Sequence, residues 1–214
     1  MYRAKMAGGG QAAAATGRQE ELPQQVNSGI VTLHNLLVTM DVKDQRTIKH
    51  SRDVTKRALA LGRAVGLSEG QLGVLEVAAV LHDVGKIGIP TDVLTKQRPL
   101  TREEKKILED HPRAGYILVE QIPQMKAVSH AVLYHHERYD GTGYPVGLSG
   151  EDIPLLARIL RIADSFSNMI TERPDEMSPP FAAVLDELTA EAGTHFDPDL
   201  ALTFIDLLRN GEIE

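Results

Sequence analysis

The sequence predicts an all-α domain running from about residue 26 to residue 214, and three observations predict it. Apolar residues recur at helical spacing: Val54, Ala58, Leu61 and Val65 stand at i, i+4, i+7 and i+11. Helix-start signals recur as well. Ser68-x-x-Gln71 and Thr101-x-x-Glu104 have the form of capping boxes, and Ser178-Pro179 and Asp197-Pro198 read as an N-cap followed by proline at the first helical position. Alternating strand patterns are nearly absent, and no internal repeat is visible.

Taken in chain order, residues 7–25, AGGGQAAAATGRQEELPQQ, are poor in bulky apolar side chains and read as a linker. The Val54 stripe, extended back by four residues, lands on His50. The helix opened by Ser68 carries Leu72, Leu75 and Ala79, and three residues further lies His82. That helix ends abruptly in LHDVGKIGIP, residues 81–90, where His82 and Asp83 precede Lys86, two glycines and a proline. His111 precedes Pro112, a position pushed out of helical geometry, so His111 is expected to project from a helix start. HHERYDGTGYP, residues 135–145, sets His135 beside His136 ahead of a glycine-rich loop stopped by Pro145. In the late helix, Ile153, Leu156 and Leu160 lead at i+11 to Asp164.

Composition bounds what these helices can do. The 214 residues suffice for one good-sized core or a domain with an appendage, and 42% hydrophobic content is ordinary for a globular chain. A formal net charge of -7 argues against a DNA or RNA polymer held on a general basic surface. An acidic protein still binds a phosphate where metal ions supply local positive charge. With no cysteine there is no disulfide, no thiol nucleophile and no cysteine zinc site, so histidine and carboxylate remain as ligands. No apolar run approaches the ~18 residues of a membrane span, and the opening MYRAKMAGGGQAAAATG lacks the apolar stretch of a signal peptide. A cytoplasmic location is the expectation. Oligomeric state has no readable signal.

Each of these features has a plain explanation by itself. A lone histidine on an apolar face is usually a satisfied core residue, and DGTGYP alone is a turn. Their joint appearance on inward faces of three helices is less easily dismissed, because an unpaired buried polar group costs several kcal/mol. A shared metal would satisfy all of them. Adjacent helical residues point about 100° apart, so His82 and Asp83 cannot serve one ion through one face. Two neighbouring ions solve this, with His82 on one, Asp83 bridging, and His135 and His136 on the second. Two-metal sites with ions ~3.5–4 Å apart lower the pKa of water towards ~7, which suits hydrolysis of a phosphoester.

HDVGKIGIP and HHERYDGTGYP, with HPRAGYIL, IPLLARILRIAD and AGTHFDP in the same order, resemble the HD-GYP subgroup of the HD-domain phosphohydrolases over about residues 45–210. The resemblance implies a helical bundle with a metal site in its core, hydrolysing cyclic dinucleotides, chiefly cyclic di-GMP, to linear pGpG and on to GMP in some cases. It implies that His50, His82, Asp83 and Asp164 hold one ion and that Asp83, His111, His135 and His136 hold the other. Both ions would be divalent transition metals, iron or manganese first, with nickel or zinc also compatible with imidazole and carboxylate. Asp83 and Lys86 would be catalytic, Lys86 at the phosphate. Gly141, Gly143, Tyr144 and Arg173 would join Lys86 in binding substrate. His34, His130 and His195 receive no ligand role.

The sequence also departs from the family pattern. Arg46 stands where some members carry a glutamate for a third ion, so two are expected. ADSFSNM places Ser167 where an aspartate is common, and RPDE keeps Arg173 but puts Asp175 and Glu176 in place of an aromatic and a cation. Those changes leave two alternatives open, hydrolysis of another cyclic dinucleotide or phosphoester, and an interaction module with little turnover. At the start, MYRAKMAGGGQ resembles the closing segment of a GGDEF domain. Residues 1–11 are then its remnant, 12–25 the linker and 26–214 the phosphohydrolase domain, with a GGDEF domain expected upstream.

Overall fold

Where the sequence places a capping box, a helix begins. The computed structural model describes residues 47–96, 98–170 and 179–213. The segments 1–11 and 12–25, His34, Arg46 and Arg173 with its RPDE context lie outside the described residues. Helix α1 (Thr47–Ala64) buries Val54, Ala58 and Leu61 completely, as the stripe requires. It stops at Gly66, which adopts φ +80°, while Gly66 N donates to Arg63 O and Leu67 N to Gly62 O. That paired bonding with a left-handed residue is a Schellman stop, and the left-handed residue is usually glycine.

Ser68 then caps α2 (Glu69–Leu81): its hydroxyl accepts from Gln71 N, and the Gln71 side chain accepts from Ser68 N. A 3-10 turn (Val84–Gly88) and the short α3 (Thr91–Leu94) follow. Thr101 and Glu104 make the second reciprocal box, opening α4 (Arg102–Glu109). Then come α5 (His111–Glu120), α6 (Lys126–Tyr134), a 3-10 turn (Gly150–Asp152), α7 (Leu155–Ile170), α8 (Phe181–Ala190) and α9 (Pro198–Arg209). Asp197 caps α9, its Oδ1 accepting from Asp199 N and Leu200 N. Among the described residues no strand forms beyond one isolated bridge between Ala192 and Phe196. No helix among them is long and apolar enough to cross a membrane.

Three local expectations are corrected. His111 stands at a helix start as expected, but as the first residue of α5 rather than outside helical geometry, with Pro112 in the first turn. Proline there removes no helical hydrogen bond, and the His111 ring is fixed to Leu108 O, so packing overrides the pre-proline preference. The helix expected after Ser178-Pro179 starts only at Phe181, with Pro180 at the N-cap. Pro179 itself precedes a proline, which disfavours helical geometry for it. Ile153 ends the 3-10 turn rather than belonging to α7. The inward face of α7 that carries Asp164 runs instead through Ala157, Leu160 and Ser167.

The bundle closes around one apolar core. α1 packs on α2 and α7, α2 on α6, α6 on α7, and α9 on α8, α1 and α7. Phe166 of α7 meets Phe204 of α9 edge-on at 5.3 Å, both fully buried. Each such side chain contributes about 1.5–3 kcal/mol by leaving water. The contact that matters most for the site lies between the 3-10 turn after α2 and the start of α5. There Gly85 approaches so closely that a Cβ on it would lie 2.0 Å from His111 O and 2.5 Å from Gly115 N. A residue without a side chain lets the His82–Asp83 corner reach His111.

Candidate metal centre

Five helices deliver their ends or inward faces to one point. His50 comes from α1, and His82 is the C-cap of α2 with Asp83 directly after it. His111 opens α5, His135 is the C-cap of α6 with His136 next, and Asp164 lies on the buried face of α7. Neighbouring ring centroids lie 5.7 Å apart for His50–His82, 5.2 Å for His82–His135, 5.3 Å for His111–His135 and 4.9 Å for His111–His136. Ligand atoms of Asp83, His111, His135 and His136 all lie within 4.8 Å of one another, as do those of His50, His82 and Asp83. Asp83 belongs to both groups. Its Oδ2 is 3.3 Å from His82 Nε2, and its Oδ1 is 3.3 Å from His111 Nε2. Asp164 Oδ1 is 3.0 Å from His50 Nε2 and 3.9 Å from His82 Nε2. The seven expected ligands are therefore brought together.

Local bonding aims the lone pairs. His82 Nδ1 is 2.7 Å from Ala79 O, His111 Nδ1 is 2.7 Å from Leu108 O, and His135 Nδ1 is 2.6 Å from Val132 O. A carbonyl only accepts, so each ring donates its Nδ1–H, which leaves Nε2 as the nitrogen that can bind a cation. Those nitrogens point at each other and at carboxylates. His111 Nε2 and His135 Nε2 are 3.4 Å apart, and buried His82 Nε2 has no hydrogen-bond partner among the described residues. Acceptors facing acceptors repel unless a cation lies among them, and imidazole plus carboxylate is a transition-metal donor set. The residues fit a metal.

Electrostatics agree. Burial works to raise Asp83, yet Lys86, His82 and His111 hold it well below the usual carboxylate range. Asp164 behaves likewise, with His50, His82 and His136 outweighing burial. Burial disfavours charge on His82, but Asp83 and Asp164 lift it to about 9, the mark of a place that wants a cation. Burial and then neighbouring imidazoles keep His135 and His136 neutral well below the ordinary histidine range. Lys86 Nζ sits 2.6 Å from Asp83 Oδ2 with its side chain about one-third exposed, at the edge of the centre.

The loop after His136 is built on its own requirements. Gly141 adopts φ +81°, and a Cβ on Gly143 would lie 2.2 Å from Arg138 N, so both glycines are demanded by the loop itself. Tyr144 stacks on His136 at 4.8 Å and 26°, and its N–H donates to His136 O.

Helical spacing and the flanking residues also bring in side chains that the motif reading had given no role. Glu137, buried, accepts from Val146 N at 2.8 Å and from Gly147 N at 3.0 Å, bracing the loop under Tyr144. Asn168, four residues after Asp164, donates to Asp164 Oδ1 at 2.9 Å. Arg161, three residues before Asp164, donates to His136 Nδ1 at 2.9 Å and to His195 Nε2. The i−3 and i+4 positions around Asp164 are the signal that finds the last two. Ser167, read as a lost aspartate, accepts from buried Arg57 at 3.2 Å, and Arg57 lies over the Phe166 ring at 5.0 Å. His130 sits between Tyr116 and Tyr134, away from the centre.

Residues 36–200 match the HD domain family. The chain is 40% identical over 169 residues to a cyclic di-GMP phosphodiesterase response regulator of Xanthomonas campestris pv. campestris, covering 78% of this chain and 45% of that protein. It is 33% identical over 177 residues to a cyclic di-GMP phosphodiesterase of Thermotoga maritima, covering 82% and 48%. The chain thus spans about half the length of these curated relatives. Its fold superposes with a TM-score of 0.65 on an HDG"Y"P protein from Bdellovibrio bacteriovorus, at 19% identity, covering 86% of this chain and 62% of that one.

Proposed function

The chain belongs to the HD domain family, and from that premise we propose that it is a phosphodiesterase of cyclic dinucleotides, cyclic di-GMP first, working through two divalent transition-metal ions. One observation carries the reading. Three buried imidazoles, each pinned by the carbonyl three residues before it, turn Nε2 into the centre: His82 towards Asp83 and Asp164, His111 towards Asp83, and His135 towards His111 Nε2. His50, His82, Asp83 and Asp164 would hold one ion, and Asp83, His111, His135 and His136 the other. Iron and manganese suit this donor set, as do nickel and zinc. Such ions supply Lewis acidity at phosphoryl oxygens and a hydroxide nucleophile near neutral pH.

The protein's own groups do the rest. Lys86, anchored at Asp83 on the rim, stands where it can neutralise an oxygen of the phosphodiester being cleaved. The Tyr144 loop, held by Glu137, walls the side of His136 and offers an aromatic face to a base. Arg173 remains a proposed substrate contact. With Arg46 at the third-ion position, two ions are proposed, and opening of the ring to pGpG outpaces cleavage to GMP. Residues 1–11 are proposed as the C-terminal remnant of a GGDEF domain, with 12–25 as linker and 26–214 as this domain, working in the cytoplasm.

The test couples elemental analysis of anaerobically purified protein to product analysis with cyclic di-GMP and with a mixed GMP–AMP ring. The expected result is two ions per chain and metal-dependent pGpG. Asp83→Ala should lose both ions and all activity, because its carboxylate joins the two groups. Full metal occupancy in that variant would sink the bridge, and a wild type inert with both iron and manganese would favour a binding module.

A further inference from the structure

His136 is wired differently from the other imidazoles of the centre. His82, His111 and His135 donate Nδ1–H to carbonyls and keep Nε2 for a cation. His136 Nδ1 instead meets Arg161 Nη1 at 2.9 Å. A guanidinium has five N–H donors and no acceptor, so His136 must offer it a lone pair. Neutral imidazole has only one. While Nδ1 serves Arg161, Nε2 carries the proton and has nothing to give a metal. If an ion takes either nitrogen, Arg161 loses its acceptor. His136 can serve Arg161 or a metal ion, not both.

Arg161 is itself an unusual cation. Its hydrogen bonds among the described residues go to two imidazoles, His136 and His195, and none goes to a carboxylate. Its Nε is buried with no hydrogen-bond partner among the described residues. Arg158, three residues earlier on the same helix, shows what a structural arginine looks like here: it is paired with Asp197 and with Ile153 O. Lys86, the other cation of the centre, is already paired with Asp83. A half-buried guanidinium without a carboxylate is costly unless an anion arrives to meet it.

We propose that Arg161 is the anion clamp of this site, released from His136 when a metal ion takes that ligand and then gripping a phosphodiester oxygen of the bound dinucleotide. The proposal rests on the phosphodiesterase reading above. A ring with two phosphodiesters has a use for two cations, and Lys86 and Arg161 reach the centre through different ligands, one through Asp83 and the other through His136. The planar fork of arginine matches phosphate oxygens better than a lysine does.

The experiment compares wild type with Arg161→Gln and Arg161→Lys. It reads Mn2+ stoichiometry and affinity by calorimetry, and binding of the bis-phosphorothioate analogue of cyclic di-GMP to the Mn2+-loaded protein. Both variants should fold, since no carboxylate among the described residues loses a hydrogen-bond partner; should Arg161→Gln fail to, Arg161→Lys carries the comparison. Arg161→Gln should keep two Mn2+ per chain, the more weakly held one bound as tightly as in wild type or tighter, because a competitor for His136 has gone. Affinity for the analogue should fall roughly ten- to a hundredfold, the worth of one charge-assisted hydrogen bond, and Arg161→Lys should recover part of it. Analogue binding equal to wild type in both variants would overturn the clamp. Loss of Mn2+ in Arg161→Gln would overturn it too, making Arg161 a strut for His136. A wild type that neither binds nor hydrolyses cyclic di-GMP would fail the phosphodiesterase reading first, and the clamp with it.

Discussion

Replacing Gly85 by alanine should break the metal centre without touching a ligand. Gly85 is buried in the 3-10 turn just after Asp83, and its φ is not in the left-handed region, so alanine costs nothing locally in the backbone. The cost is contact. The new Cβ would stand 2.0 Å from His111 O, 2.5 Å from Gly115 N and 2.9 Å from His111 C, all of them backbone atoms that cannot rotate away. Carbon contacts settle near ~3.5 Å, so the turn and α5 must part by on the order of 1 Å. Ligand distances in a metal site tolerate only about 0.2 Å. Asp83 and His111, now 3.3 Å apart across that contact, would be pulled out of joint reach of one ion. Overpacking costs about 1–3 kcal/mol, and for a chain of this size each kcal/mol lowers Tm by about 2–4 °C. Gly73→Ala is the control: it lies in α2 with nothing among the described residues within 4 Å of a new Cβ. It should gain about 0.5–1 kcal/mol from helix propensity and keep both ions. Thermal unfolding with and without chelator, plus elemental analysis, reads both variants. A Gly85→Ala protein with wild-type metal content and a Tm within about a degree of wild type would refute the reasoning.

Lys86→Ala should keep its metals and lose roughly a hundredfold or more in turnover, as removal of one electrostatic stabiliser does; initial rates unchanged at matched metal content would remove Lys86 from the mechanism. Glu137→Ala leaves the N–H groups of Val146 and Gly147 without their carboxylate, which should cost about 1.5–3 kcal/mol by urea unfolding and raise KM as the Tyr144 loop loosens; an unchanged urea midpoint would contradict the brace. Acid should destabilise the chelator-treated protein. Burial, then Arg161, holds His195 down at about 3 in the fold, against an ordinary value near 6.5, so the unfolded chain binds more protons between those limits and stability falls as pH drops through that window. His135 and His136, depressed in the fold, act in the same direction. His82, raised to about 9, acts oppositely: its contribution is fully present below 6.5 and is lost as pH rises through 9. A urea midpoint that climbs on acidification from 6.5 towards 4 would show that the sign is wrong.

The helical class, the capping boxes and the inward direction of His50, His82 and Asp164 were legible in the chain because they depend on neighbours three or four residues away. A stripe through Leu72, Leu75 and Ala79 has to carry His82 inward, since the helix repeats every ~3.6 residues whatever it packs against. Two adjacent prolines, by contrast, delayed α8 by a pre-proline restriction that the Ser178-Pro179 signal alone does not contain.

Other features had no local sign. Ser167 looks like a missing ligand until Arg57, from a different helix, is seen bonded to it. Gly85 looks like loop filler until the His111 carbonyl is found against it. Arg161 is one more basic residue on α7 until His136 and His195 close on it from separate segments. By itself the sequence determined which side chains face inward and which chemistry they can perform. Only the tertiary structure decided which oxygen of Asp83 meets which imidazole and which imidazoles Arg161 meets. The physical reason is range: helix periodicity is set by bonds between residues close in sequence, whereas those distances are set by how closely whole helices pack, and side chains far apart in the chain decide that.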